Sequence, residues 1–130
     1  MAKMSPAKIL VVDDDPQIRR LVGGFLGREF EVSLAADAVG AVSAARRELP
    51  DLVLLDFSLP AGNGLVVLER LRSIPSLATT PVVMISGWGA PWSWKTLLDM
   101  DVSGFLPKPF SKDELLAEIE HALAADAVAA

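Results

Sequence analysis

Pro50-Asp51-Leu52-Val53-Leu54-Leu55-Asp56 and, nearer the amino terminus, Ile9-Leu10-Val11-Val12-Asp13-Asp14-Asp15-Pro16 are the stretches that decide the fold. Each is an apolar run of strand length that stops on a carboxylate. Continuous apolar runs without alternation are expected of strands covered on both faces, as in parallel sheets packed between helices. In such open sheets the functional crevice lies outside the carboxyl ends of the strands, so Asp13, Asp14, Asp15 and Asp56 gather at one edge. Carboxylates held that close repel one another. The cluster persists where a divalent cation, a lysine, or both, offset the charge.

Outward from these runs, strand-length and helix-length patterns alternate along the whole chain. Strands are expected over Ile9 to Val12, Glu31 to Leu34, Leu52 to Leu55, Val82 to Ile85 and Gly104 to Leu106. Helices are expected over Pro16 to Gly27, Ala38 to Leu49, Gly64 to Ser73, Pro91 to Met100 and Ser111 to Ala124. Pro16 suits the first helical position after an aspartate cap, Pro50 closes the second helix, and Ser111 with Glu114 forms a capping box for the last. Five β-α units with right-handed crossovers give a doubly wound α/β sandwich. A single domain over residues 1–130 is expected, with its core at about 7–124 and residues 125–130 a tail or linker remnant.

Composition narrows the function. The chain has 130 residues, 52% of them hydrophobic, and a formal net charge of −5. That acidity, with arginines in scattered pairs rather than a stripe, argues against direct nucleic-acid binding. There is no cysteine, so disulfide frameworks, thiolate nucleophiles and zinc–thiolate sites do not arise. No segment approaches the length of a spanning helix, and a soluble, cytoplasmic protein without membrane contact is expected.

Together, Val11-Val12-Asp13-Asp14-Asp15-Pro16, Pro50 to Asp56, Leu59-Pro60, Ser86-Gly87 and Gly104-Phe105-Leu106-Pro107-Lys108-Pro109-Phe110 resemble the receiver domain of two-component response regulators. The resemblance covers nearly the whole chain, and its specificity lies in the ordered set. It implies the flavodoxin-like strand order 2-1-3-4-5 and a signalling phosphoacceptor rather than an enzyme with a separate substrate. Asp56 would accept a phosphoryl group from a phosphohistidine of a sensor histidine kinase or histidine phosphotransfer protein. Asp13, Asp14, Asp56 and the backbone carbonyl of Ser58 would hold Mg²⁺. Lys108 would meet a phosphoryl oxygen, and its bond to Pro109 would be cis. Ser86 and Phe105 would form the switch that reports phosphorylation, and the face of the fourth helix, fifth strand and fifth helix would be the readout surface, available for homodimerisation.

Other residues carry plainer readings or mark departures. Asp15 reads as a helix cap. His121 is placed at the carboxyl-terminal end of the last helix, and Arg19-Arg20 and Arg46-Arg47 read as solvated helix faces, the first pair also suiting a kinase-docking surface. Asp101 stands where receivers usually have glycine, and Ala61-Gly62-Asn63-Gly64 lacks the acid usual in that loop. Trp94 reads as core, whereas Trp88 and Trp92 either face a partner or pack over the pocket. That tryptophan surface supports an alternative function, a phosphorylation-independent pseudo-receiver that works as a binding module. An aspartate-based phosphatase would need a second acid at the position of Ser58, and a flavin site would be repelled by Asp13-Asp14-Asp15. No output domain is recognisable, so the chain is expected to be a stand-alone regulator or the receiver of a larger protein.

Overall fold

In the computed structural model, residues 6–59, 63–87 and 101–129 are described. Five strands, β1 (Lys8–Val12), β2 (Glu31–Ala35), β3 (Leu52–Asp56), β4 (Val82–Ser86) and β5 (Gly104–Pro107), form one parallel sheet in the order β2-β1-β3-β4-β5. This is the flavodoxin-like order that the family resemblance implies. The described helices are α1 (Pro16–Leu26), α2 (Ala38–Glu48), α3 (Asn63–Ser73) and α4 (Lys112–Ala129). The helix expected over Pro91 to Met100, with Trp88, Trp92 and Trp94, lies outside the described residues.

The apolar runs divide their side chains between two cores, as period-two strands must. Leu10 and Val12, Val53 and Leu55, and Val82 and Met84 face a core shared with Ala41, Ala44 and Ala45 of α2 and Val67, Leu68 and Leu71 of α3. Ile9 and Val11, Leu52 and Leu54, and Val83 and Ile85 face the opposite core with Val22 and Leu26 of α1 and Leu115, Ile119 and Ala122 of α4. Every residue of β3 and β4 is buried. The absence of polar alternation in these strands has this cause.

Local chemistry sets the helix ends. Asp15 caps α1 by accepting from Gln17 N at 2.8 Å, with Pro16 at the helix start, and Gly27 leaves the helix at φ 53°. Asp37 caps α2 through Gly40 N at 2.7 Å, while Leu49 takes the left-handed conformation at φ 47° ahead of Pro50. The capping box of α4 is complete: Glu114 N donates to Ser111 Oγ at 3.1 Å and Ser111 N to Glu114 Oε1 at 3.0 Å. This helix runs on to Ala129, past the expected end at Ala124. The alanine-rich tail is good helix former, so nothing stops it there. His121 is therefore mid-helix and exposed, not at the carboxyl-terminal end of the helix as the sequence suggests.

Two ties fix the lower part of the molecule. At the amino edge of the sheet, Lys8 N donates to Asp51 Oδ2 at 2.7 Å and Asp51 N to Lys8 O at 2.8 Å, joining β1 to β3. Arg72, at the end of α3, donates to Thr80 O at 2.8 Å and Asp101 O at 2.9 Å, and its Nε lies 2.9 Å from Asp101 Oδ2 as an ion-pair contact without hydrogen-bond alignment. Asp101 thus serves as an anchor for Arg72.

Because Leu54 is wholly buried at the centre of β3, Leu54→Ala should destabilise the fold by about 2–5 kcal/mol. Val39→Ala, at an 83% exposed position, should change stability by less than about 0.5 kcal/mol. Urea unfolding followed by circular dichroism compares the two.

Candidate functional site

Strand register builds the site. Val12 pairs with Leu55, so the next residues, Asp13 and Asp56, emerge side by side at the carboxyl edge of the two central strands. Asp56 pairs with Ile85, which brings Ser86 one step further along β4, and Ser86 pairs with Pro107, which precedes Lys108. Four candidate site positions, distant in sequence, are brought together by one register. Lys108 is held at its own backbone too, its N–H donating to Ser86 O at 2.7 Å, and its peptide bond to Pro109 is cis, as expected.

The acids are not equivalent. Asp13 and Asp56 are buried, each 2% exposed, whereas Asp14 is open to solvent. Asp13 Oδ1 accepts from Asp15 N at 2.9 Å, and its Oδ2 accepts from Lys108 Nζ at 2.8 Å. Asp56 Oδ1 accepts from Ser58 N at 3.1 Å, and its Oδ2 lies 3.7 Å from Lys108 Nζ. One ammonium therefore bridges the two buried carboxylates. One oxygen from each of Asp13, Asp14 and Asp56 lies within 4.8 Å of the others. Three converging carboxylate oxygens, two of them on buried residues, with a single lysine among them, suit a hard divalent cation such as Mg²⁺.

Charge and burial act together on the titrations. Burial pushes the Asp56 carboxyl above its ordinary value; the Ser58 N–H opposes this, the Asp13 charge adds to it, Lys108 opposes, and Asp14 adds again. Lys108 is also raised: burial disfavours its ammonium, but the Asp13 hydrogen bond and the charges of Asp13, Asp56 and Asp14 outweigh burial. Lys108 stays cationic throughout the neutral range.

The backbone around Asp56 leaves little room. Gly64 N donates to Phe57 O at 2.7 Å, and a Cβ on Gly64 would stand 2.5 Å from Asp56 O and 2.8 Å from Phe57 Cα. Only glycine permits this approach of α3 to the loop after β3. Ser86 is 1% exposed at the end of β4, and Phe105 is half-buried against the α2–α3 core. One contributor was not foreseen: Arg19, read as a solvated face residue, donates from Nη1 to Asp13 O at 2.7 Å and ties α1 to the acidic loop. Its spacing of six from Asp13 crosses the helix cap, so helical periodicity gave no sign of it.

Known proteins resemble this chain in sequence and in fold. Residues 9–120 match the family model of the response regulator receiver domain. The chain is 40% identical over 114 residues to the transcriptional activator protein PfeR of Pseudomonas aeruginosa, spanning 87% of this chain and 36% of that protein. It is 35% identical over 121 residues to the response regulator Rre1 of Synechocystis, spanning 92% of this chain and 52% of that protein. Among solved structures, a CheY-like response regulator receiver domain protein from Methanospirillum hungatei superposes with a TM-score of 0.86 at 26% identity, covering 97% of this chain and all of that one. The chain belongs to the receiver domains of two-component response regulators. Members of this family are signalling phosphoacceptors, modified on aspartate with phosphate that comes from histidine kinases. The chain spans roughly a third to a half of the length of these two curated relatives. Among the described residues, no helix is long and apolar enough to cross a membrane.

Asp56→Asn keeps an acceptor for Ser58 N–H and removes a charge that the pocket disfavours. It should stabilise the fold at neutral pH by about 0.5–2 kcal/mol. The sign of the pH dependence follows from the raised pKa. The penalty of ionised Asp56 is complete above its folded-state value, fades as pH falls through that value, and is gone below the ordinary carboxylate value. The advantage of Asp56→Asn should therefore shrink on acidification through that window, as measured by urea unfolding across pH.

Proposed function

We propose that Asp56 is the phosphoacceptor of this receiver and that the pocket around it assists both gain and loss of the phosphoryl group. The observation that carries the reading is the single Lys108 ammonium set 2.8 Å from Asp13 Oδ2 and 3.7 Å from Asp56 Oδ2, beside three converging acids. A carboxylate oxygen of Asp56 attacks the phosphorus of a phosphohistidine on a sensor histidine kinase or phosphotransfer protein. The P–N bond breaks, and its electron pair stays on the imidazole nitrogen. The product is an acyl phosphate, which water can later hydrolyse to inorganic phosphate and the original carboxylate.

Asp13, Asp14, Asp56 and the Ser58 carbonyl are the groups that would hold Mg²⁺, which when bound neutralises charge on the phosphoryl oxygens. Lys108 supplies a fixed positive charge to a phosphoryl oxygen, so that catalysis is positioning plus electrostatic stabilisation. Arg19 and the Asp15 N–H keep Asp13 in place. Once Asp56 is modified, the Ser86 hydroxyl donates to a phosphoryl oxygen and Phe105 moves further into the core. The phosphoryl charge thereby biases two arrangements of the readout face to which β5 and the last helix contribute, the face through which a partner or a second copy binds.

Incubation with a small acyl-phosphate donor and Mg²⁺ should add one phosphate to the parent chain by intact mass and none to Asp56→Asn. Lys108→Ala should lower the phosphorylation rate by about a hundredfold, the scale of losing one transition-state charge contact. An unmodified parent chain would refute the assignment.

A further inference from the structure

On the face away from α1 and α4, a groove of about 500 Å³ runs between α2 and α3. Val39, Val42 and Val66 line part of it, and Arg46, Arg47 and Arg70 line the rest. Val39 is 83% exposed and Val66 39% exposed. A lone exposed valine needs no explanation, but here exposed apolar side chains share one concavity with three guanidinium groups. In a chain of net charge −5, that is a local reversal of sign.

Arg46 and Arg47 stand in the last turn of α2 and Arg70 in that of α3, where a cation complements the helix dipole, a role that leaves the guanidinium groups open to a partner. At the end of α2, Leu49 N donates to Ala45 O at 2.9 Å and Lys8 Nζ to Glu48 O at 3.3 Å. At the end of α3 it is Arg72, not Arg70, that takes the carbonyls of Thr80 and Asp101. Among the described residues, the side chains of Arg46, Arg47 and Arg70 join no ion pair. Among the described residues, Asp13, Asp14, Asp56 and Lys108 are not part of the lining of the groove. Its Arg46–Arg47 end lies at the amino edge of the sheet, where Lys8 reaches the end of α2, and the acidic pocket lies at the carboxyl edge.

We propose that the α2–α3 groove docks an acidic amphipathic helix of a partner protein, with apolar side chains on Val39, Val42 and Val66 and aspartate or glutamate on Arg46, Arg47 and Arg70. Helix-in-groove recognition uses apolar anchors at successive turns, and guanidinium groups meet carboxylates in paired hydrogen bonds. The charges supply specificity: a lysine-bearing helix of the same shape is repelled. Nucleic acid offers phosphates to the arginines but nothing to the valines, and the acidic remainder of the chain repels it. This docking is independent of Asp56 and goes beyond the phosphoacceptor reading.

The test is a titration of the isotope-labelled full chain, followed by NMR, with a synthetic helix-forming peptide bearing leucines at successive turns and glutamates beside them. Shifts should concentrate on α2 and α3. Affinity should fall about tenfold or more in Arg46→Glu/Arg70→Glu and in Val39→Asp, while the spectra of both variants keep the dispersion of the folded parent and Asp56→Asn binds like the parent. Absence of shifts on α2 and α3, equal binding of a lysine-for-glutamate peptide, tighter binding of a single-stranded oligonucleotide, or the same shifts produced by self-association without peptide would each overturn the proposal.

Discussion

Repulsion among carboxylates at the carboxyl edge of the sheet is the constraint on which this molecule is organised. Unit charges about 4 Å apart, between the dielectric of water and that of a protein surface, interact by roughly 1–4 kcal/mol. That is a sizeable part of the roughly 5–15 kcal/mol by which a domain is stable. Asp13 and Asp56 nonetheless sit buried beside each other, with Asp14 at their rim. Lys108 offsets part of that cost, and the Asp15 and Ser58 N–H groups offset more. The remainder leaves a pocket that favours whatever brings positive charge to it.

The sheet makes that tension sustainable. Its two hydrophobic cores hold β1, β3 and β4 from both faces, so the strand ends cannot drift apart to relieve the charge. Register carries Asp13, Asp56, Ser86 and Lys108 into one neighbourhood, while Gly64 lets α3 close on the Asp56 backbone. Arg19 and Arg72 act at opposite ends of this frame, the first on the acidic loop and the second on the segment that leads into β5. Stability is thus concentrated in the strands, and electrostatic strain in the loops that follow them.

Much of this was legible because buried parallel strands write themselves as unbroken apolar runs. Ile9 to Val12 and Leu52 to Leu55 could hardly be anything else, and the acids that follow them fall at the carboxyl edge of the sheet by topology alone. The strand order and the roles of Lys108, Ser86 and Phe105 came from resemblance to a family, since no periodicity reveals which strands are neighbours. Side chains that reach backbone beyond their own helix cap were the least legible. Arg19 reaching the Asp13 carbonyl and Arg72 gathering carbonyls from two loops depend on distances that only the folded chain sets. The end of α4 was missed for a different reason: alanine carries no stop signal, so the pattern faded before the helix did.

The most direct test of the central claim is the Mg²⁺ dependence of the unfolding free energy, measured by urea denaturation at constant ionic strength. A cation held by Asp13, Asp14 and Asp56 binds the folded state alone, so stability should rise with the logarithm of Mg²⁺ concentration once the site begins to fill. In Asp13→Asn/Asp14→Asn that dependence should vanish. A parent chain whose stability ignores Mg²⁺, or a variant that gains as much as the parent, would contradict the account.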